Sequence, residues 1–114
     1  MLGTGQQHWS TVHVADIANF FRRALEDESA SGRYVIGDGS NPAVPELTDA
    51  AAVAAGAPGA VAGSDDEART RLGDFADVLL LDQGTDAAKA RTELGWLPSQ
   101  PGLAEEFRYG SYRK

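Results

Sequence analysis

Two short β-prone runs, Thr11–Val14 and Arg33–Ile36, are the feature that most restricts the fold of this 114-residue chain. Elsewhere, apolar residues recur at the three- and four-residue spacing that is typical of helices. Two or three strands this short do not easily form an independently stable sheet, and a parallel pair needs cover on both faces. We therefore expect a mostly helical chain, part of whose sheet is supplied by residues from elsewhere.

The apolar spacing predicts four to five helices. The first covers about 15–27, and the others begin near Pro45, at Ser64, at Thr85 or Asp86, and near Pro101. The stretch 74–81 fits a helix or a strand, and we expect its apolar run Val78–Leu81 to be buried in either case. The expectation is one domain over residues 1–114, of the α/β class, or α+β when the chain is taken in isolation.

Composition excludes several classes of function. There are 17 acidic and 10 basic residues, a net charge of −7 that argues against nucleic acid and against anionic membranes as partners. There is no cysteine, which excludes disulfides and zinc–thiolate sites. No apolar run reaches the roughly 18 residues of a membrane span, and no signal peptide is visible. We expect a cytoplasmic protein, and the excess of Arg over Lys suggests a high-GC bacterial source.

Three segments resemble the C-terminal part of the extended short-chain dehydrogenase/reductases, the NAD-dependent epimerase/dehydratase family. Residues 12–18, VHVADIA, are similar to the family's VHVxDLA segment. Residues 34–39, YVIGDG, followed by Glu46 and Leu47, are similar to its YNIGxG strand and EL-led helix. Residues 86–98, DAAKARTELGWLP, resemble its D-x-x-K-A-x-x-x-L-G-W-x-P ending. All three occur in the family's order.

The resemblance implies that a Rossmann-like domain precedes such a segment in the family, binds NAD or NADP and supplies a Tyr-x-x-x-Lys pair for hydride chemistry. This chain has neither feature. The glycine pair at 37–39 has Pro42 in the third position, and the pair at 3–5 has His8 there. We therefore assign no catalytic, cofactor-binding or metal-binding residue to the chain. Whether it is an enzyme by itself stays open.

Three residues are candidates for contact with a small-molecule substrate: Trp9, His13 and Arg71. Arg71 opens an R-x-G-D pattern that resembles the diphosphate-binding arginine of sugar-nucleotide epimerases. Trp9 stands where those epimerases often have another arginine, so a less polar substrate than a sugar nucleotide is an option. His13 and Asp16 could form an acid–base pair, or could be a packed histidine and a helix cap.

The leading interpretation is the substrate-binding portion of an NAD(P)-dependent epimerase, dehydratase or reductase, not competent for hydride transfer alone. One alternative is a freestanding, non-enzymatic module that binds a small ligand or docks on a partner. A third is a small enzyme using His13 and Asp16. Because the strands lack neighbours, we expect either a homodimer or docking to a Rossmann domain.

Overall fold

The computed structural model describes residues 5–112, and this part of the chain contains six helices. They are α1 Val14–Glu26, α2 Val44–Ala55, α3 Asp65–Leu72, α4 Phe75–Leu80, α5 Ala88–Leu94 and α6 Leu103–Tyr109. The described residues include no β-strand. Their β-type pairing is an isolated antiparallel bridge between His8 and Ala43.

The expected α/β class, with a Rossmann-like remnant and two or three short strands, is therefore wrong for this chain. Residues 11–13 and 33–36 lie outside the helices but form no ladder, and Val14 already belongs to α1. Within residues 5–112, the backbone groups of Tyr34, Val35 and Ile36 make no hydrogen bond. A β-prone sequence becomes a strand only when a neighbour pairs with it, and the described chain provides none.

The larger core surrounds Trp96, which is fully buried. Phe20 of α1 meets its indole in an edge-to-face arrangement at 6.1 Å between ring centroids. Three buried residues of the 87–94 segment complete the cluster, and partly buried side chains from the two β-prone runs pack on it: Ala87, Ala90, Leu94, and then Val12, Tyr34 and Ile36. This core joins α1 and α5 to the irregular segment 33–37.

A second core forms where α2 packs against α6. Leu47, Ala50 and Ala104 are buried in it, and Trp9 and Phe107 pack on its edge. Small side chains of α2, such as Ala50, allow it to pack closely against α6. The helix is capped by Gly56, which has the left-handed φ of 70° that favours glycine at this position.

Helices α3 and α4 form a hairpin that packs mainly on itself. The predicted helix start at Ser64 is confirmed, and a capping box forms there: the Ser64 hydroxyl accepts from the Glu67 N–H, and the Glu67 carboxylate accepts from the Ser64 N–H. The expected burial of Val78–Leu81 is wrong, because Val78 is 49% exposed and Leu81 56% exposed. α4 covers α3 with one face, and its other face stays in solvent.

The chain is more extended than a monomer of its size should be. Its radius of gyration is 16.2 Å, against about 13 Å for an ordinary domain of this length. Its accessible surface is 7323 Å², whereas a monomer of 12.0 kDa should expose about 6,000 Å². Large apolar side chains contribute to the excess, among them Leu25, which is 86% exposed.

Candidate functional site

A groove of about 350 Å³ lies between the segment that enters α1 and the region around α6. Its walls include Thr11, Val12 and His13 on one side, and Leu103, Glu106 and Tyr112 on the other. The volume falls within the range of small-molecule sites, and the mixture of apolar walls with a few polar groups is typical of them. Of the three residues predicted to contact substrate, His13 lines this groove.

A hydrogen bond in the first turn of α1 fixes the tautomer of the neutral His13 ring. Its Nδ1 accepts a hydrogen bond from the Ala15 N–H at 3.0 Å, so the imidazole is the N-cap of the helix. A ring nitrogen that accepts carries no proton, so the proton of the neutral ring lies on Nε2. No residue in 5–112 bonds to that Nε2, and His13 is a half-buried hydrogen-bond donor in the groove wall.

Thr11 and Glu106 are two more polar residues of the groove wall. Thr11 lines the groove with other atoms, because its hydroxyl oxygen is enclosed by protein and has no hydrogen-bond partner within the described chain. The Oε1 of Glu106 accepts from the N–H and the hydroxyl of Ser111, at 3.2 and 3.1 Å. These two bonds leave the second carboxylate oxygen of Glu106 without a partner among residues 5–112. The groove therefore offers a ring N–H and a carboxylate.

Asp16 does not join His13 as an acid–base partner. Its side chain is buried, and its carboxylate accepts from the N–H groups of Ser99 and Gln100, both at 3.0 Å. The interpretation of Asp16 as the helix cap is wrong, because His13 is the cap. Asp16 instead holds the segment that leads from the Trp96 core to α6. The proposal of a small enzyme that uses this pair loses its geometric basis.

Trp9 belongs to the second core and does not line the groove. Its indole packs on the α2–α6 cluster, and its Nε1 donates to the Leu79 carbonyl at 2.9 Å. Together with the bond from the Gln83 N–H to the His8 carbonyl, this contact attaches the α3–α4 hairpin to the rest of the chain. The geometry of Trp9 favours a structural role.

Arg71 is exposed on α3 and lines a separate cavity of about 310 Å³ with Ser64 and Glu67. Each of the three predicted contact residues therefore lies in a different place: His13 in the groove, Trp9 in a core and Arg71 on the hairpin. Within residues 5–112 they do not converge on one site.

Lys89 is an exposed residue of α5, and its contacts with the loop before residue 34 could not be predicted from the sequence. Its Nζ donates to the carbonyls of Ser31 and Arg33, both at 2.9 Å, and lies 4.2 Å from the ring centroid of Tyr34. The pKa of Tyr34 is raised, chiefly because its hydroxyl donates to the Glu93 carboxylate at 2.8 Å. The lysine of the D-x-x-K-A pattern thus ties α5 to the loop before residue 34.

The residues at 37–39 do not fit a dinucleotide. A Cβ added to Gly37 would lie 2.6 Å from both the Ser10 hydroxyl and a Thr85 methyl group, so this glycine is covered by protein instead of facing a ligand. No helix begins directly after it, since α2 starts at Val44. The other pair, at 3–5, lies mostly outside the described residues. No part of 5–112 groups three or more histidine, aspartate or glutamate residues closely enough to hold a metal ion.

Comparison with known proteins leaves the family open. No family model matches the chain, and no solved structure matches it. An uncharacterized protein of Schizosaccharomyces pombe is 27% identical to it over 111 residues, which is 97% of this chain and 37% of that protein. The chain therefore spans little more than a third of the length of this relative. None of the helices in the described part is long and apolar enough to cross a membrane.

Proposed function

We propose that this chain is the substrate-binding portion of an NAD(P)-dependent epimerase, dehydratase or reductase, and that it acts in the cytoplasm together with a dinucleotide-binding domain. In this proposal the chain shapes the substrate groove beside His13. The dinucleotide-binding domain supplies the cofactor and the groups that handle protons during hydride transfer.

One observation carries the proposal: the three segments that resemble the family pack against one another around Trp96. Val12 comes from the first segment, Tyr34 and Ile36 from the second, and the indole itself from the third. Segments that are dispersed in sequence and contiguous in space behave as one structural unit. Such a unit supports the resemblance more strongly than three separate matches would.

Hydrogen bonds made by residues within and directly beside the three segments reinforce this unit. The Trp96 Nε1 donates to the Asp16 carbonyl at 2.9 Å, which links the third segment to the first. The Asp38 N–H donates to the Thr11 carbonyl at 2.8 Å, which links the second segment to the residue directly before the first. Lys89, in the third segment, donates to carbonyls in the loop that precedes the second segment. The motif residues therefore build the framework, and the groove beside it is free for ligand contact.

The large exposed area of the chain supports the proposal that a partner covers part of it. Its accessible area exceeds that of an ordinary monomer by about 1,300 Å², more than the roughly 800 Å² that one side of a standard interface buries. Val35, which is 68% exposed, lies in the segment whose backbone groups are unpaired. A dinucleotide-binding domain or a second copy of the chain would cover this surface. The same observation favours the alternative of a freestanding docking module.

The relative from S. pombe offers the test. We would replace its matching segment with this chain and measure the melting temperature of the hybrid, the unmodified relative and the isolated chain, each with and without NADH or NADPH. A ligand at 100 times its Kd stabilises by about 2.7 kcal/mol, which shifts a melting temperature by several degrees. We expect one of the two cofactors to stabilise the relative and the hybrid.

The isolated chain is the control, and we expect no saturable change in NADH fluorescence at up to millimolar cofactor, because it lacks the glycine-rich turn. Saturable binding of NADH to the chain alone at micromolar concentration would contradict the proposal. The absence of any stabilisation of the relative by either cofactor would contradict it as well.

A further inference from the structure

We infer that the α3–α4 hairpin is a hinged lid, which swings as one piece away from Gln7 and Trp9 on the body of the chain. The body is the part that contains the two cores and the helices α1, α2, α5 and α6. Within the described residues, α3 and α4 contact each other and no other helix. The residues of 5–112 that line the groove beside His13 include none from the hairpin, so this inference does not depend on the proposed function.

Contacts inside the hairpin hold its two helices together. Ala68 of α3 and Ala76 of α4 are both buried, although the hairpin touches no other helix of the described chain. The Arg69 Nε donates to the Asp77 carboxylate at 3.1 Å, which ties α3 to α4. A turn of two residues connects the helices. Such a unit can keep its structure when it leaves the body.

No hydrophobic core joins the hairpin to the body. Of the two apolar clusters in the described residues, the one around Trp96 and the one between α2 and α6, neither includes a residue of α3 or α4. Buried apolar surface is the main favourable term in packing, and parts of a fold with few buried apolar contacts open at the lowest free energy. The hairpin is therefore the unit expected to open first.

Hydrogen bonds along one seam, between residues 7–9 and 79–83, hold the lid closed. The Leu79 carbonyl of α4 accepts from the Gln7 side-chain amide at 3.2 Å and from the Trp9 indole at 2.9 Å. Gln7 is buried, and Trp9 also packs on the edge of the second core. An open lid would give solvent or a partner access to both side chains.

The other bonds of the seam are accessible to water. The Asp82 carboxylate accepts from the His8 N–H at 2.8 Å and from the His8 ring at 2.9 Å. The Gln83 N–H donates to the His8 carbonyl at 2.8 Å. The side chains of His8 and Asp82 are 49% and 71% exposed, so water can replace their bonds at a small net cost when the lid opens.

The two connections of the hairpin have the properties of hinges. On one side, residues 57–63 form no helix or strand, and a Cβ added to Gly59 would meet open space. On the other side, the body resumes at Thr85, whose N–H and carbonyl both bond to the Asn41 side chain, at 3.0 and 3.1 Å. Gly84 lies between the seam and this fixed residue. A few loop residues of this kind can absorb the backbone rotation of a closing lid.

Distances between pairs of spin labels test the lid in the intact chain, which has no cysteine of its own. Val53→Cys on α2 and Thr70→Cys on α3, both at exposed positions, form the pair that spans the lid and the body. Val53→Cys with Glu105→Cys on α6 is the matched control within the body. Pulsed electron–electron double resonance gives the distance distribution of each pair. We expect one narrow distance for the control pair and a second, longer distance for the lid pair.

Variants of the seam should change the population of the longer distance. Asp82→Ala removes two bonds from an exposed position, and we expect the open population to rise about fivefold or more. The further change Trp9→Phe keeps a ring on the core without the indole donor and should raise it again by a similar factor. Asp49→Ala, at an exposed position of α2 outside the seam, is the control and should leave the distribution of the parent unchanged.

Three results would overturn the lid. One is a single narrow distance for the lid pair even in the Asp82→Ala, Trp9→Phe double variant. Another is an equal open population in Asp82→Ala and the parent, because the seam would then not control opening. The third is a loss of helical circular dichroism in step with the longer distance, which would mean that the hairpin unfolds in place of swinging. We expect the helical signal of the seam variants to equal that of the parent.

Discussion

Replacement of Trp96 by alanine should remove a large share of the free energy of unfolding of the chain. The indole is fully buried, meets the Phe20 ring and donates to the Asp16 carbonyl. A buried aromatic side chain removes 150–250 Å² from water, and about 25 cal/mol per Å² gives a loss of about 4–6 kcal/mol. Measured tryptophan-to-alanine changes in cores fall in a similar range, about 3–5 kcal/mol. The total free energy of unfolding of a domain of this size is about 5–15 kcal/mol.

Urea unfolding followed by circular dichroism measures this loss. We expect the midpoint to fall by about 1 M or more, given a slope of about 1–3 kcal/mol per M. Trp96→Phe keeps an aromatic ring without the N–H donor and should lose about half as much. Trp9→Ala is the matched control, because that indole is only partly buried, and it should cost less than Trp96→Ala. An unchanged midpoint for Trp96→Ala would refute the account of the core.

Further predictions concern crowding, backbone strain, pH and association. Gly37→Ala should lower the free energy of unfolding by about 1–3 kcal/mol, because the added methyl group overpacks the site. Gly39→Ala meets open space but should still lower it by about 1–2 kcal/mol, because its φ of +82° is strained for alanine. Urea unfolding measures both changes. The pKa of Asp82 lies below its ordinary value of 3.8, chiefly because the His8 N–H and then the His8 ring bond to it. The stability from this contact is therefore complete at pH values above the ordinary pKa of 3.8, and it is lost as the pH falls through the lowered pKa of Asp82. A pH titration of the Asp82 carboxyl carbon by NMR should show the lowered pKa. Sedimentation at micromolar concentration should show a dimer of the isolated chain; a well-behaved monomer would weaken the case for a missing partner.

The helices could be predicted from the sequence because their signals are local. The capping box of α3 spans Ser64 to Glu67, and the stop of α2 is the single residue Gly56. Each depends on backbone groups within one turn, so a short window of sequence contains the whole interaction. The periodic apolar stripe of α1 likewise placed that helix within one residue of its observed bounds.

The site could not be predicted in the same way, because its geometry comes from contacts between distant residues. Asp16 bonds to Ser99 across 83 positions, and Lys89 bonds to Ser31 across 58. The sequence around Asp16 or Lys89 contains no pattern that identifies the distant partner. The unpaired hydroxyl of Thr11 is visible only once the packing around it is known. The prediction of strands in the two β-prone runs was wrong for a related reason. β-propensity is a property of single residues, whereas a strand forms only when a neighbouring strand pairs with it.

The central claim is that a dinucleotide-binding domain covers the open surface of this chain, and hydrogen exchange at Val35 and Ile36 tests it most directly. Their amides make no hydrogen bond within residues 5–112 and should exchange rapidly in the isolated chain. In the hybrid with the remainder of the S. pombe relative, we predict exchange slower by about 100-fold or more, since a protected amide opens only at a cost of a few kcal/mol. Equally rapid exchange in a folded hybrid would contradict the claim.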